Sequence, residues 1–167
     1  LADLDARLAR WATARSVLSR MRGAVDDLAA LLVARAAAGR VVDGHGDLRP
    51  EHVYVTRPPR ILDRIEFDPS LRRVDWLEDV ALLAVDLEEL RRNWIADALM
   101  RDIARRLDDV PEPRLTAFYR AWRACLRATL CLEHRAYPGR RTAAGWTRRA
   151  RGYLDIAARY ADRLSRA

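Results

Sequence analysis

Between Gly39 and Glu66 the helical spacing of this chain breaks off, and that interruption limits what the chain can fold into. Before it, residues 1–38 read as helix, with Leu28, Leu31, Leu32 and Arg35 in period and a weak point near Gly23 that divides it into two pieces. Gly39 is placed to end that helix in left-handed backbone. Inside the interruption, Val41-Val42, Val53-Tyr54-Val55 and Ile61 to Ile65 are short apolar or β-branched runs split by Gly, Pro and Asp. Such runs predict small strands bounding loops, with "TRPPR" at 56–60 as a turn between two of them. The expectation is a mainly α (α+β) domain whose small β-element carries a functional loop.

From residue 75 the helical spacing resumes. Asp75 and Glu78 have the spacing of a capping box. The helix they open, "DWLEDVALLAVDLEELRRN", is apolar nearly all round from Val80 to Val85, as expected of a central buried helix. A second helix is predicted from about Trp94 to Asp108 and is ended by "VPEP". A long amphipathic helix follows, marked by Leu115, Phe118, Tyr119, Trp122 and Cys125. "YPGR" at 137–140 ends it, and a last helix runs from about Thr142 to Ser165. The five tryptophans read as packing residues at helical core positions.

Composition removes several chemistries. All 31 basic residues are arginine, so no Schiff-base or phosphate-clamping lysine comes from this chain. The net charge of +7 favours anionic partners. Arg140, Arg141, Arg148, Arg149 and Arg151 form a basic patch, read as a solvated face in preference to a phosphate or nucleic-acid surface. Cys125 and Cys131 are six apart, about 9 Å along a helix and on different sides of it, too far to bridge. A reducing, cytoplasmic setting follows as the expectation. No apolar run approaches the roughly 18 residues of a bilayer span, so no membrane partner is expected.

The chain has three histidines, and two of them, His45 and His52, lie in "VVDGHGDLRPEHVYV". Asp47, in the Gly-flanked loop, is placed to accept a proton from a substrate hydroxyl. His52 opens the next strand and Asp63 lies in the one after. If those strands pair, the two side chains face one divalent cation. Glu66 adds an acid near that site, or pairs with Arg64 or Arg72. One base beside a metal-binding pair suits phosphoryl transfer, which relies on positioning and charge neutralisation. Two other readings stay open. One is a metal-dependent hydrolase built on His45, Asp47 and His52; the other is a non-catalytic pseudokinase or nucleic-acid-binding helical module.

"HGDLRPEHVYV" resembles the catalytic loop of the aminoglycoside phosphotransferase and choline-kinase-like family, a branch of the protein-kinase-like fold. The apolar-apolar-Asp of "ILDRIEF" and the paired aspartates of "DWLEDVA" follow in that family's order. The resemblance implies a kinase-like C-terminal lobe over residues 1–167, ATP or another nucleoside triphosphate as donor, Mg²⁺, and a small-molecule hydroxyl acceptor. It implies Asp47 as catalytic base, with His45 bracing the loop. Asp63 becomes the magnesium ligand and Asp79 a structural support that hydrogen-bonds the loop backbone. His52 stands where the family has Asn and is read either as a ligand or as a residue that braces one. The Gly-rich loop, strand Lys and partner Glu of the family's N-lobe have no counterpart here. A longer parent chain carrying that N-lobe is the expectation, and it fits a sequence that starts without Met.

Overall fold

The computed structural model describes residues 1–136, 139 and 141–164, and the protein is mainly helical. The basic-patch residue Arg140, the 137–138 part of the "YPGR" stop and Ser165 lie outside the described residues. Among the described residues, six α-helices and four short strands form two compact units. One comprises Leu1–Asp27 with Pro113–Ala167, the other Leu28–Glu112. Among the described residues no helix is long and apolar enough to cross a membrane.

The first unit contains α1 (Ala2–Leu8), the N-terminal part of α2 (Ala12–Ala37), α5 (Pro113–Glu133) and α6 (Ala143–Ala161). In α2, Ala14, Val17, Leu18, Met21 and Ala24 are buried at helical spacing. α5 and α6 pack on one another, and both bury alanines: Ala117, Ala121, Ala124 and Ala128 on one helix, Ala150, Ala157 and Ala161 on the other. Small side chains let the two backbones approach closely. Ion pairs Arg7–Glu133, Arg20–Asp162 and Arg22–Asp5 lie at its surface.

The helical break near the N-terminus falls at residues 9–11, not near Gly23. Trp11 N donates to Leu8 O at 2.9 Å, and the Arg15 guanidinium donates to Ala9 O at 2.8 Å. Gly23 stays inside α2 with open space where a Cβ would stand. One exposed glycine costs a helix only about 0.5–1 kcal/mol, too little to split one that buries so regular a stripe.

The second unit holds the rest of α2, β1 (Val41–Asp43), β2 (Val53–Tyr54), β3 (Arg60–Ile61), β4 (Arg73–Asp75), α3 (Trp76–Glu89) and α4 (Asn93–Arg106). Gly39 ends α2 at φ +71°. β2 and β3 form the expected hairpin, with Val53 opposite Ile61. The third apolar run stops pairing after Ile61 because Asp63 takes φ +64°, which no extended strand accommodates. β4 was not expected: it pairs antiparallel with β1, Val42 opposite Val74, and runs directly into α3. Asp75 caps α3 by accepting from Leu77 N at 2.9 Å, one residue earlier than the Glu78 spacing suggests. α3 is buried around nearly its whole circumference, and Leu83, Ala84 and Leu87 meet Ala96 of α4 and Leu48 of the loop. The tryptophans do not all serve packing: Trp76 is buried, but Trp94 is 71% exposed on α4.

A buried ionic cluster ties this unit together. Arg35, in the last turn of α2, donates to both Asp75 oxygens (2.5 and 2.9 Å) and both Asp109 oxygens (3.1 and 2.9 Å). The Trp76 indole donates to Asp109 at 2.6 Å. Burial pushes the Asp109 carboxyl up, but hydrogen bonds from Arg35 and Trp76 outweigh it and hold the carboxyl below its usual range.

Three outcomes follow for stability. Gly23→Ala should raise the thermal midpoint, by about 0.5–1 kcal/mol in stability, since no Cβ clash opposes it. Arg35→Met should cost about 3–5 kcal/mol in urea unfolding because it leaves two buried carboxylates without their fork. The lowered Asp109 carboxyl contributes stability that is complete above the ordinary aspartate value of about 3.9 and is lost as pH falls from there through the native value. Acid unfolding of Asp109→Asn should accordingly be less steep over that window than that of the parent.

Candidate active site

The loop between β1 and β2 is held from beneath by α3. Asp79, in that helix's first turn, accepts from His45 N at 2.6 Å and Gly46 N at 3.1 Å. The two glycines flanking His45 are needed for this approach. A Cβ on Gly44 would stand 2.7 Å from Asp79 Oδ2. One on Gly46, at φ +83°, would stand 2.9 Å from both Leu71 O and Ile65 Cδ1. Leu48 then drops into the apolar cluster with Leu83 and Leu87, which anchors the far side of the loop.

His45 is buried, and both its ring nitrogens are occupied. Nε2 lies 2.8 Å from Leu62 O, which can only accept, so Nε2 carries the proton. Nδ1 then accepts from Asp47 N at 3.3 Å. This ring ties Asp47 to the segment that carries Asp63 and has no nitrogen to offer a metal. The three-residue centre of the hydrolase reading therefore lacks one of its ligands.

His52 lies on the other side of Asp47, its ring stacked on that of His45 with centroids 5.4 Å apart. Its Nδ1 is 2.9 Å from Asp47 O and must donate there. Its Nε2 faces Asp63 Oδ2 at 3.4 Å. With Nδ1 donating, Nε2 is the ring's lone-pair nitrogen, and its approach to the Asp63 carboxylate brings two possible cation ligands together. The spacing fits a shared cation: adjacent ligands of an octahedral Mg²⁺ with bonds near 2.1 Å stand about 3 Å apart. The hydrogen bond from Nδ1 fixes the tautomer that leaves Nε2 available. His52 and Asp63 are therefore the side chains that would hold the ion.

Asp63 is 82% exposed in its side chain and sits in left-handed backbone, which a non-glycine residue rarely adopts without a local reason. Asp47 points its half-exposed carboxylate outward, with Arg49 Nη1 4.0 Å away. Glu66 is exposed, and its expected pairing with Arg64 or Arg72 is not what forms: both arginines bind Asp43, at 2.9 and 2.8 Å. Together they hold the Asp43 carboxyl below its usual range, the Arg72 hydrogen bond being the larger cause.

Sequence reasoning missed Asp43 and Arg49, and placed Arg72 only as a partner for Glu66. Arg72 also donates to Ile65 O at 2.8 Å, so it fastens the Asp63 segment to β1. Arg49 reaches the buried Asp86 of α3 at 3.4 Å and pairs with Glu51. The signal for Arg49 was its place two residues after Asp47, beside a leucine that anchors the loop; Asp43 and Arg72 left none, since they meet only through strand pairing.

No family model matches the chain, and no solved structure matches it. It is similar to part of a longer mycobacterial protein. Over 117 residues, 67% of this chain, it is 37% identical to uncharacterized proteins of Mycobacterium tuberculosis and Mycobacterium bovis. The matched stretch is 24% of their length, so the chain spans about a quarter of the curated relatives it matches.

Replacing Asp79 tests the support beneath the loop. Asp79→Ala should destabilise by about 2–4 kcal/mol in denaturant unfolding, because the amides of His45 and Gly46 lose their acceptor in a buried place. Asp79→Asn, which keeps one acceptor oxygen, should lose less.

Proposed function

We propose that this chain is the catalytic lobe of a kinase-like phosphotransferase, passing the terminal phosphoryl group of ATP or another nucleoside triphosphate to a hydroxyl of a small molecule. The observation that carries this reading is the linkage made by His52. One nitrogen fixes the backbone of Asp47, and the other shares a 3.4 Å gap with Asp63. A base and a cation pair are thus tied to one loop, which is the arrangement phosphoryl transfer uses. The protein-kinase-like fold and the aminoglycoside phosphotransferase resemblance belong to the same proposal.

Asp47 accepts the hydrogen bond of the acceptor hydroxyl and orients its oxygen in line with the phosphorus. As the new O–P bond forms, the bond from the terminal phosphorus to the bridging oxygen breaks, the nucleoside diphosphate leaves with that electron pair, and the hydroxyl proton passes to the Asp47 carboxylate. Asp63 and His52 would hold a divalent ion, which would supply charge neutralisation for the phosphates. Glu66, exposed three residues past Asp63 in the sequence, is the further acid this reading assigns to nucleotide binding. His45 and Asp79 act through the backbone and keep Asp47 in place. The phosphate clamp, a glycine-rich loop and lysine in such enzymes, would come from the longer parent.

The test is ATP consumption by the longer parent over a panel of hydroxyl-bearing small molecules. Asp47→Asn should lower kcat by about 100-fold or more with nucleotide binding largely kept. Asp63→Ala should abolish metal-dependent nucleotide binding. His52→Asn should shift preference from Mn²⁺ toward Mg²⁺, since amide oxygen is the harder ligand. Residues 1–167 alone should bind nucleotide weakly and not turn over, since misplacement of about 1 Å can cost about 100-fold. Full activity in Asp47→Asn would rule the reading out.

A further inference from the structure

Arg72 touches both halves of the candidate site. Its carbonyl accepts from Gly44 N at 2.9 Å, at the start of the loop that carries Asp47. Its guanidinium donates from Nη1 to Ile65 O at 2.8 Å, two residues past Asp63. The same guanidinium donates from Nε to Asp43 Oδ1 at 2.8 Å, so the β1 carboxylate sets the direction of the side chain. Only 14% of the Arg72 side chain is exposed, against 46% for Arg64, which also pairs with Asp43.

Asp63 needs such a hold. Its left-handed backbone is disfavoured for any residue with a Cβ. The bonds that fix the segment lie on either side of it. Leu62 donates to His52 O at 3.0 Å and accepts from His45 Nε2 at 2.8 Å. Ile65 donates to His45 O at 3.2 Å and accepts from Arg72. Three of these ties run to the two histidines, and the fourth is a charged donor held in place by Asp43. The 3.4 Å between His52 Nε2 and Asp63 Oδ2 suits Mg²⁺, which demands near-ideal octahedral geometry with bonds of about 2.1 Å. Ca²⁺ takes ligands at about 2.3–2.6 Å in looser arrangements, so a segment free to drift penalises Mg²⁺ more. Resting on the phosphoryl-transfer reading, we infer that Arg72, directed by Asp43, is a positioning residue that holds Asp63 opposite His52 and lets the site discriminate Mg²⁺ from Ca²⁺. Charge alone gives the opposite expectation, since removing a guanidinium from near a cation site favours metal binding.

The experiment is calorimetric titration of ADP into the longer parent, with Mg²⁺ or Ca²⁺ at fixed concentration. Arg72→Met, which keeps the stem and loses the donors, should weaken Mg²⁺-dependent binding roughly 10–100-fold, as loss of a ligand's supporting partner does. Ca²⁺-dependent binding should fall much less. Arg72→Lys keeps the charge but lacks the planar fork that serves both acceptors, and should lose part of the Mg²⁺ affinity. Asp43→Asn should shift it in the same direction. Arg64→Met removes the exposed charge next to Asp63, leaves the Ile65 carbonyl bonded, and should not weaken binding. Unchanged or tighter Mg²⁺-dependent binding in both Arg72 variants would overturn the inference, as would equal losses for Mg²⁺ and Ca²⁺ or an equal loss in Arg64→Met. Metal-dependent binding that survives Asp63→Ala would overturn the phosphoryl-transfer reading and this inference with it. Loss in Asp63→Ala without loss in the Arg72 variants overturns the inference alone.

Discussion

Arg35 fixes where the second unit's parts meet. Its guanidinium makes four hydrogen bonds to two carboxylates that enter from different directions, Asp75 from β4 and Asp109 from beyond α4. Burying three charges is costly, and the geometry must be good to offset it. Here both carboxylates are engaged through both oxygens, and Trp76 adds a further donor to Asp109. Asp75 is also the N-cap of α3, so the ion cluster sets the residue at which that helix begins. One turn later comes Asp79, whose carboxylate receives the two amides of the loop. A chain of short contacts therefore runs from the end of α2 to the backbone beside Asp47.

That loop is rigid for reasons that lie in backbone chemistry more than in side-chain packing. Asp79 takes its amides, Gly44 and Gly46 permit the approach, and His45 fastens it to Leu62. Of the groups proposed to meet substrate or cation, the two carboxylates keep their oxygens outward. Asp47 and Asp63 stay accessible to water, while His52 is held by Nδ1 and presents Nε2. Keeping the support buried and the chemistry exposed suits a site whose partners arrive from outside the loop.

Arginines form ion pairs in both units, and in the first they also lie over aromatic rings. In the second, arginines close ion pairs: Arg35 with Asp75 and Asp109, Arg64 and Arg72 with Asp43. In the first, several lie over aromatic rings, Arg163 on Tyr160 and Arg141 on Trp146 among them. A delocalised guanidinium suits both settings, whereas a strongly hydrated ammonium would suit the second poorly.

Much of the second unit was legible from residue order. Alternation of short apolar runs with Gly and Pro marked the hairpin. The unbroken apolar stretch from Val80 to Val85 marked a buried helix. The "GHGD" spacing placed Asp47 on a constrained loop, and the aspartate at 79 lies on α3 where it can meet that loop. These are local patterns, and periodicity and turn chemistry act locally. Other features depend on residues far apart in sequence. β4 exists because β1 is there to pair with it, since three residues of "RVD" carry no strand signal of their own. Asp43 draws Arg64 and Arg72 away from Glu66 only once the β1–β4 ladder brings them together. Asp63 leaves the extended region, and His52 turns Nε2 toward it, through hydrogen bonds to carbonyls that no sequence pattern specifies. The sequence by itself determined which side chains could do chemistry and on which segments they lie; tertiary structure decided which of them face one another, because that depends on long-range pairing and buried charge.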